Sequence, residues 1–309
     1  MRVIVAGQGI QGQKRRKICG DEFVGFVDPF SAGSDFKNIR DVPLEKYDAV
    51  LACIPDEPKQ DIVEFCIKNG KHVLVEKPLW FRDISNFKAL EEMANRNGVL
   101  CYIAYNHRFE PHFVNMARSI QDGWLGEIYR CRMFYGNGTA RLVKESAWRD
   151  KGGGVLPDLG SHLLDTCKFW FGEEVENSKW EIVSANSFEN AAPDHVIIGA
   201  NVNGIQVELE MTMLMWKNHF TCDVLAHNGS VHIESLCKWG PTKYIERKRV
   251  FPSGKPPETQ TILTQSDPTW ELEYSHFKNL IDEKVSTNFV WHEGMYKILS
   301  SLEGSLGVS

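Results

Sequence analysis

The sequence predicts an α/β domain with a doubly wound parallel sheet, followed by a region whose sheet has one face in solvent. Short apolar runs alternate with helical segments up to about residue 109, and glycines such as Gly70 end the connections. From about residue 124 the predicted strands instead alternate leucine or valine with polar residues, a pattern typical of a half-exposed sheet. The hairpin signal Asn228-Gly229 supports this reading of the second region.

A glycine motif of the form G-x-G-x-x-G follows the first predicted strand and precedes a helix predicted over Gln13–Cys19. The first glycine permits a tight turn, the second lets backbone approach a pyrophosphate, and the third lets the helix pack on the strand. The helix amino terminus then offers N–H groups and a positive dipole end to phosphates. The motif predicts that a dinucleotide is bound by Gly7, Gly9, Ile10, Gln11 and Gly12.

An acid follows the second predicted strand, Phe23–Val27, at the distance from the glycines expected for a ribose-binding carboxylate. Because Asp28 would accept a hydrogen bond from a ribose 2′-hydroxyl and repel a 2′-phosphate, the sequence favours NAD(H) as the cofactor. The short basic stretch Lys14–Lys17 is predicted to be exposed, and Arg15 or Arg16 there could meet a phosphate, which leaves NADP(H) open.

Further buried strands are predicted over Asp48–Ile54, from His72 and over Val99–Ala104. The second of these ends in Glu76-Lys77-Pro78, and ligands of open α/β sheets bind at such carboxyl-terminal strand ends. Lys77 is therefore a candidate for chemistry, although an ordinary edge turn with a solvated Lys-Glu pair is the alternative. The residues predicted to contact the cofactor from these strand ends are Cys53, Ile54, Pro55, Glu76, Lys77, Asn106 and Arg108.

A second candidate segment follows the glycine triplet at 152–154. Asp158 and His162 are four residues apart, so they share one face if the segment is helical. A satisfied structural histidine and a helix-capping aspartate are the alternative.

Composition narrows the functional classes. The 309 residues suit two domains, and 42% hydrophobic with 25% charged residues is ordinary for a globular protein. A net charge of -6 argues against nucleic-acid binding, and eight scattered cysteines without a Cys-x-x-Cys pair indicate reduced thiols. No metal site is predicted. The amino terminus lacks a signal-peptide pattern and no run is long enough to span a bilayer, so a cytoplasmic protein without membrane partners is expected.

Four motifs in this order resemble the glucose-fructose oxidoreductase, inositol dehydrogenase and MocA (Gfo/Idh/MocA) family, and the match spans nearly the whole chain. They are the glycine motif, Glu76-Lys77-Pro78, Tyr105-Asn106-His107-Arg108-Phe109 and the glycine-rich segment 152–165. The resemblance implies an amino-terminal Rossmann domain over residues 1–109 and an α+β domain over 110–309. The second domain would carry a large open, mainly antiparallel sheet that forms the interface of a homodimer or homotetramer.

The resemblance also implies that Lys77, Asp158 and His162 are catalytic in a hydride transfer between NAD(H) and a hydroxyl or keto carbon. His162 would be the main acid and base, since imidazole titrates near neutrality. Lys77 would hold the substrate oxygen or relay its proton, Asp158 would orient the substrate or the lysine, and the Lys77-Pro78 peptide would be cis. The sequence departs from the family at Arg15, often histidine there, and at His107, usually arginine.

The expected substrate is a small sugar, cyclitol or nucleotide-linked sugar. The predicted contact residues are Lys77, Tyr135, Asn137, Trp148, Arg149, Asp158 and His162. Their mixture of amide, aromatic and cation suits a polyhydroxylated molecule with an anionic group, while Arg141 and Lys144 either join them or belong to a solvated loop. Two other functions stay open: a glycosidase that works by transient oxidation with retained NAD, and a cofactor-binding sensor without turnover.

Overall fold

The structure is a computed structural model that describes residues 1–81, 83–146 and 149–307. The chain divides into two compact units. The first unit comprises Met1–Asn106 and Thr269–Tyr296, and the second comprises His107–Pro268 and the residues from Lys297 onward. The first unit thus includes a late segment of the chain, and the domain boundary predicted after residue 109 stays a prediction.

The strands and helices alternate regularly only in the first part of the chain. The strands are β1 (Val3–Ala6), β2 (Phe23–Val27), β3 (Ala49–Ala52), β4 (His72–Glu76), β5 (Cys101–Ala104), β6 (Ile128–Gly136), β7 (Glu181–Asn186), β8 (His195–Val202), β9 (Ile205–Thr212), β10 (His219–Ala226), β11 (Gly229–Glu234), β12 (Thr242–Lys248) and β13 (Glu258–Leu263). The α-helices are α1 (Ile10–Cys19), α2 (Asp56–Lys68), α3 (Ser85–Arg96), α4 (Pro111–Gln121), α5 (Ala140–Lys144), α6 (Ser161–Phe171), α7 (Glu174–Asn177), α8 (Thr269–Asp282) and α9 (Val290–Leu306).

The first unit contains a five-stranded sheet in the order β2-β1-β3-β4-β5, and every neighbouring pair is parallel. Strands β1 and β3 are buried along their whole length, as expected for central strands of a sheet covered on both faces. Helix α8 contributes to the same core, where Phe277 packs with Val5, Leu51 and Leu74. The predicted doubly wound parallel sheet is confirmed, and the first helix begins at Ile10 rather than at the expected Gln13.

The second unit contains an eight-stranded sheet in the order β13-β12-β11-β10-β6-β9-β8-β7. Strands β6 and β9 are parallel, and the other neighbouring pairs are antiparallel. Phe220 of β10 is fully buried and packs against Phe113 of α4, with the ring centroids 5.0 Å apart. The Phe113 carbonyl accepts a hydrogen bond from the Trp170 indole of α6. Helices therefore cover one face of this sheet, and the predicted mainly antiparallel sheet is confirmed.

Two strands of this sheet escaped the sequence prediction. Strand β13 is exposed at nearly every position, so it lacks the apolar alternation that marks a half-buried strand. Strand β12 reads Thr-Lys-Tyr-Ile-Glu-Arg-Lys, with charges on both sides of its short apolar centre. Both lie at one edge of the sheet, where burial imposes the weakest pattern.

Strand β6 lies between β9 and β10, two strands that follow each other in the chain. The segment joining β9 to β10 crosses the end of β6, where the Met215 N–H donates to the Asn137 carbonyl at 2.9 Å. A Cβ on Gly136 would lie 2.4 Å from Met215 Cγ, and one on Gly138 would lie 2.4 Å from the Met215 carbonyl oxygen. Glycine is required at both positions for this crossing.

No helix in the described ranges is long and apolar enough to cross a membrane. All eight cysteines are free thiols, and seven of them are buried. The predicted cytoplasmic location stays a prediction.

Candidate functional site

The glycine motif of the first unit fits a bound dinucleotide. Gly7 has a φ of +91°, and a Cβ there would lie 2.2 Å from the Cys53 carbonyl oxygen. A Cβ on Gly12 would lie 1.9 Å from the Gly7 carbonyl oxygen, so helix α1 packs tightly against the turn. A Cβ on Gly9 would meet nothing within 4 Å. The middle glycine therefore leaves open space beside its backbone, where a pyrophosphate can approach.

The amino terminus of α1 faces this open space with its backbone donors. Helix α1 has Gly9 as its N-cap and no side-chain hydrogen bond at the cap. The first intrahelical bond runs from the Gln13 N–H to the Gly9 carbonyl, which leaves the preceding N–H groups outside the helical hydrogen-bond pattern. Ile10 is 79% exposed, so its side chain does not close the helix end. The arrangement suits a phosphate.

The carboxylate of Asp28 is fixed beside the glycine motif by backbone donors. Its Oδ2 accepts from the Gln8 N–H at 2.8 Å, and its Oδ1 accepts from the N–H groups of Phe30 and Ser31 at 2.9 and 3.0 Å. Partial burial favours the protonated acid, but these three hydrogen bonds outweigh it and hold the pKa of Asp28 below its ordinary value. Asp28 is thus a preorganised anion at the end of β2.

Arg15 is buried, which corrects the prediction that the whole Lys14–Lys17 stretch is exposed. Its Nη2 lies 2.8 Å from Glu76 Oε1 and 2.7 Å from Glu273 Oε2, and its guanidinium stacks 4.4 Å from the centre of the Trp270 ring. Burial opposes the charge, but the two carboxylates raise the pKa of Arg15 above its ordinary value. Arg15 lies one turn after Gly12 and its side chain points into the protein. There it pairs with Glu76 and Glu273, so it is not presented to a 2′-phosphate.

Two cations, Arg15 and Lys59, form hydrogen bonds with the residues at the end of β4. The Lys77-Pro78 peptide is cis, as the family resemblance implies. The buried ammonium of Lys59 from α2 donates to the Pro78 carbonyl at 2.8 Å and to Asp56 at 2.5 Å. Arg15 donates to the carboxylate of Glu76, so the residues before and after Lys77 each have a fixed partner. The sequence did not predict this role of Lys59, because a lysine in a helix gives no sign that its side chain reaches the turn at Pro78.

Two residues predicted to contact the cofactor have other partners in the structure. The side-chain amide of Asn106 donates to Thr269 Oγ1 at 2.7 Å inside the first unit. Arg108 lies in the second unit and forms two hydrogen bonds, at 2.8 and 2.6 Å, with the buried carboxylate of Asp165. Their cofactor contacts, and those of Ile54 and Pro55, stay predictions.

The second unit brings His162 together with two aromatic residues. His162 lies in the first turn of α6 and is half-buried. The His107 ring stacks on it with centroids 4.1 Å apart and planes at 21°, and the Tyr135 ring of β6 lies 6.2 Å away. His107 and Tyr135 are only 3% and 4% exposed. The cluster fixes the plane of the His162 imidazole.

Asp158 lies just before this helix, in a π-helical turn over Leu156–Gly160. Its Oδ2 is 3.3 Å from Arg149 Nη2, and both side chains are about one-third exposed, at 35% and 31%. The segment is helical as expected, although the π turn changes the spacing assumed from an α-helix. The N-cap of this turn is Val155 and that of helix α6 is Gly160, so Asp158 occupies neither N-cap position and the alternative of a helix-capping aspartate is not what the structure shows.

The other residues predicted to contact substrate differ in the partners that their side chains have in the structure. The side-chain oxygen of Asn137 accepts from both the N–H and hydroxyl of Thr139, so it stabilises a turn. Arg141 and Lys144 lie in helix α5 rather than in a loop, and the exposed Lys144 donates to the Glu189 carbonyl at 2.9 Å. Trp148 lies outside the described residues. Substrate contacts of these residues stay predictions.

Sequence reasoning missed Lys238 and Trp239, which lie in a 3-10 turn after β11. The Lys238 ammonium donates to the Tyr135 hydroxyl at 3.0 Å and lies 4.7 Å from the centre of the Trp239 ring. The turn is anchored where the Cys237 N–H donates to the buried Glu110 carboxylate at 2.7 Å. An isolated lysine in a strand-rich region carries no sequence signal of such a contact.

Taken separately, the units hold complementary chemical groups. The first offers an open phosphate-binding helix end and a fixed carboxylate. The second offers an oriented imidazole near a phenol, an ammonium bound to that phenol, and the Asp158–Arg149 ion pair. Among the described residues, no group of three or more histidine, cysteine or acidic side chains is arranged to hold a metal ion. The grouping of Lys77 with Asp158 and His162 stays a prediction.

Two family models match the chain. Residues 11–105 match a model described as "Oxidoreductase family, NAD-binding Rossmann fold", and residues 113–232 match "GFO/IDH/MocA C-terminal domain". These matches cover strands β2–β5 of the parallel sheet and most of the mixed sheet. The predicted dinucleotide-binding domain is thereby confirmed as an NAD-binding Rossmann domain.

Named relatives share parts of the sequence. The chain is 29% identical over 196 residues to scyllo-inositol 2-dehydrogenase (NAD(+)) of Bacillus subtilis (strain 168), which covers 57% of this chain and 55% of the relative. It is 34% identical over 110 residues to scyllo-inositol 2-dehydrogenase (NADP(+)) of the same organism, covering 35% and 30%. The matched part therefore spans about half or less of these relatives.

The fold is shared more widely than the sequence. A putative NADPH-dependent oxidoreductase from Desulfitobacterium hafniense superposes with a TM-score of 0.83 at 15% identity, covering 98% of this chain and 94% of that one. At this identity the likeness concerns the fold alone. The two family models, which together span residues 11–105 and 113–232, show that the chain belongs to the Gfo/Idh/MocA family of oxidoreductases.

Proposed function

We propose that the protein is an NAD(H)-dependent dehydrogenase that transfers a hydride to or from a hydroxyl-bearing carbon of a sugar or cyclitol. The observation that carries the proposal is the oriented imidazole of His162 in a chain with an NAD-binding Rossmann domain. The names of the inositol dehydrogenase relatives support the substrate class. A nucleotide-linked sugar belongs to the same proposal.

The chemistry follows from the residue types. Gly7, Gly9, Gly12 and Asp28 would hold the dinucleotide, whose nicotinamide ring accepts or supplies the hydride when bound. His162 would remove the proton of the substrate hydroxyl as the hydride leaves, and it would return that proton in the reverse direction. The stacked His107 ring would keep the His162 nitrogens aimed at the substrate.

Lys77 and Asp158 complete the proposed catalytic set. Lys77 would hold the substrate oxygen or relay its proton, and the bond from Lys59 to the Pro78 carbonyl supports a fixed backbone for that role. Asp158 would orient the substrate, with its charge balanced by Arg149 at 3.3 Å. The proposed order of importance for proton transfer is His162 first and Lys77 second.

NAD(H) is the proposed cofactor in preference to NADP(H). Asp28 is held as a carboxylate by three backbone donors, so it would bind a ribose 2′-hydroxyl and repel a 2′-phosphate. Arg15 is occupied by Glu76 and Glu273. The relatives include enzymes named for either cofactor, so the preference rests on these side chains.

The protein is also proposed to be a homodimer or homotetramer through the open face of the second unit's sheet. Arg130 and Arg132 form ion pairs there with Glu208 and Glu210 across β6 and β9. Exposed apolar side chains such as Leu225 lie on the same sheet. Light scattering on wild type and Leu225→Arg tests this, and a wild-type monomer would contradict it.

The decisive experiment for the activity is a panel of sugars and cyclitols with NAD, monitored by NADH formation. His162→Asn should lower kcat by about 100- to 10,000-fold while leaving the Kd for NADH within about threefold of wild type. Lys77→Ala should also reduce turnover far more than NADH affinity. If Lys77→Ala weakens NADH binding equally, the lysine binds cofactor instead.

The same panel separates the alternative functions. Cleavage of glycosides with catalytic amounts of NAD and no net NADH would identify a glycosidase that oxidises transiently. NADH binding without turnover of any panel member would favour a cofactor-binding sensor. Either result would contradict the proposed dehydrogenase.

A further inference from the structure

One cation of the second unit lies close to the His162 cluster without a carboxylate partner of its own. Lys238 donates to the hydroxyl of Tyr135, and the Tyr135 ring in turn neighbours His162. Among the described residues, Lys238 forms no ion pair. Its contacts are a phenol and the indole of Trp239, while the Glu110 carboxylate acts on it only through space.

Two other cations of this unit have carboxylate partners. Arg149 lies 3.3 Å from Asp158, and Lys243 lies 2.9 Å from Glu234. Glu110 lies behind the Lys238 turn, but its Oε1 accepts the Cys237 N–H and the residue is 2% exposed. Glu110 therefore holds the turn in place, while the Lys238 side chain is exposed and reaches Tyr135.

The position of the charge relative to His162 is defined by one aromatic ring. Tyr135 is 4% exposed and packs between His107 and Trp239, so its hydroxyl has a fixed location. Lys238 is held at that hydroxyl, one phenol ring away from His162. The Lys238 ammonium lies 5.4 Å from the centre of the Tyr135 ring, and the centre of that ring lies 6.2 Å from the centre of the His162 ring.

We propose that Lys238, positioned by Tyr135, is a specificity residue that binds an anionic group on the sugar substrate, namely a carboxylate or a phosphate. The inference rests on the proposed dehydrogenase function and adds the class of substrate. An ammonium with a free approach gives a charge-assisted hydrogen bond to either anion. Neutral cyclitols would bind without this contact and therefore more weakly.

Calorimetric binding in the presence of saturating NADH tests the proposal. The ligands are D-glucose, D-glucuronate and D-glucose 6-phosphate, which share a ring and differ in the charged group. The proteins are wild type, Lys238→Met, which keeps an apolar stem, and the control Lys243→Met. We expect wild type to bind one charged sugar at least about 10-fold more tightly than glucose, since charged hydrogen bonds have this magnitude.

Lys238→Met should weaken binding of that charged sugar by about 10- to 100-fold and change glucose binding by less than about twofold. Lys243→Met should match wild type. Preference for glucuronate identifies a carboxylate, and preference for the phosphate ester identifies a phosphate. Equal binding of neutral and charged sugars by wild type, or an unchanged preference in Lys238→Met, would overturn the proposal.

Hydride transfer to NAD from the same sugars is measured separately. Loss of anion binding in Lys238→Met without any turnover in wild type would contradict the proposed dehydrogenase and leave the anion subsite standing. Turnover of neutral and charged sugars with no preference for charge would support the proposed dehydrogenase and contradict the anion subsite.

Discussion

The imidazole rings of His107 and His162 stack with their centroids 4.1 Å apart, so a residue that departs from the family motif contacts the proposed acid and base directly. This contact predicts different effects for two substitutions. His107→Phe keeps an aromatic face against His162 and should retain kcat within about threefold. His107→Ala removes the support and should lower kcat by about 10- to 100-fold with little change in KM, because misorientation costs rate.

Steady-state kinetics on the sugar turned over best by wild type measure this difference. Circular dichroism of both variants controls for folding of the second unit. Equal losses in both variants would indicate that His107 acts through its nitrogens rather than as a stacking surface.

Replacement of Asp28 should change the cofactor preference. Asp28→Ser keeps a hydrogen-bonding group for the ribose but removes the charge that repels a 2′-phosphate. We expect Kd for NADH to rise by about 10-fold and Kd for NADPH to fall, since each lost or gained charged contact has this magnitude. Fluorescence titration with both cofactors provides the measurement. A variant that still excludes NADPH would show that another group sets the preference.

Loss of Arg15 should destabilise the first unit. Its guanidinium is 1% exposed and the Glu273 side chain is 0% exposed, so Arg15→Met removes a cation that lies 2.7 Å from a buried carboxylate. Removing one partner of such a pair costs about 3–5 kcal/mol in the free energy of unfolding. Urea denaturation against Lys17→Met, an exposed control on the same helix, measures the effect. If Arg15→Met lowers the free energy of unfolding no more than Lys17→Met does, the charge of Glu273 is already screened in the folded protein.

Glu110 should make the stability of the second unit depend on pH. Burial raises the pKa of Glu110, and the hydrogen bond from the Cys237 N–H opposes that rise only in part. The folded chain therefore holds this proton to higher pH than the unfolded chain, whose glutamate pKa is about 4.3. Stability due to Glu110 is present below that value and is lost as pH rises through the raised folded pKa.

Glu110→Gln keeps an oxygen that can accept from Cys237 and removes the titration. The free energy of unfolding of the variant, relative to wild type, should increase as the pH is raised from about 4 to about 7. Denaturation curves at several pH values test this, with the exposed Glu173→Gln as control. A difference that is constant across the pH range would contradict it.

Most of the fold was predictable because burial leaves strong patterns. The all-apolar strands β1 and β3, the apolar centre of β4, the glycine motif and Asn228-Gly229 each reflect a local requirement of backbone or packing. Strand β13 was missed since its side chains face solvent and obey no periodicity. The parallel pairing of β6 with β9 was also unpredictable, because pairing between segments distant in sequence is set by the whole sheet.

The candidate site was predictable only where a motif carries the residue. Asp28, Lys77 and His162 follow from spacing and family resemblance. Lys59, Lys238 and the internal position of Arg15 do not, since each depends on which way a side chain points from a helix or turn. The sequence shows that Lys14–Lys17 is basic, but it does not show that Arg15 in this stretch packs against Trp270.

The insertion of β6 between β9 and β10 has a consequence for how the chain reaches its native state. Arg130 pairs with Gln206, so the middle of the sheet closes only after a long stretch of chain has been made. Until then β7–β9 and β10–β13 can form two separate meanders. If β9 and β10 paired directly, strand content would be nearly native while Tyr135 was displaced. Inactive protein with a native-like far-ultraviolet spectrum would be the signature of that kinetic trap.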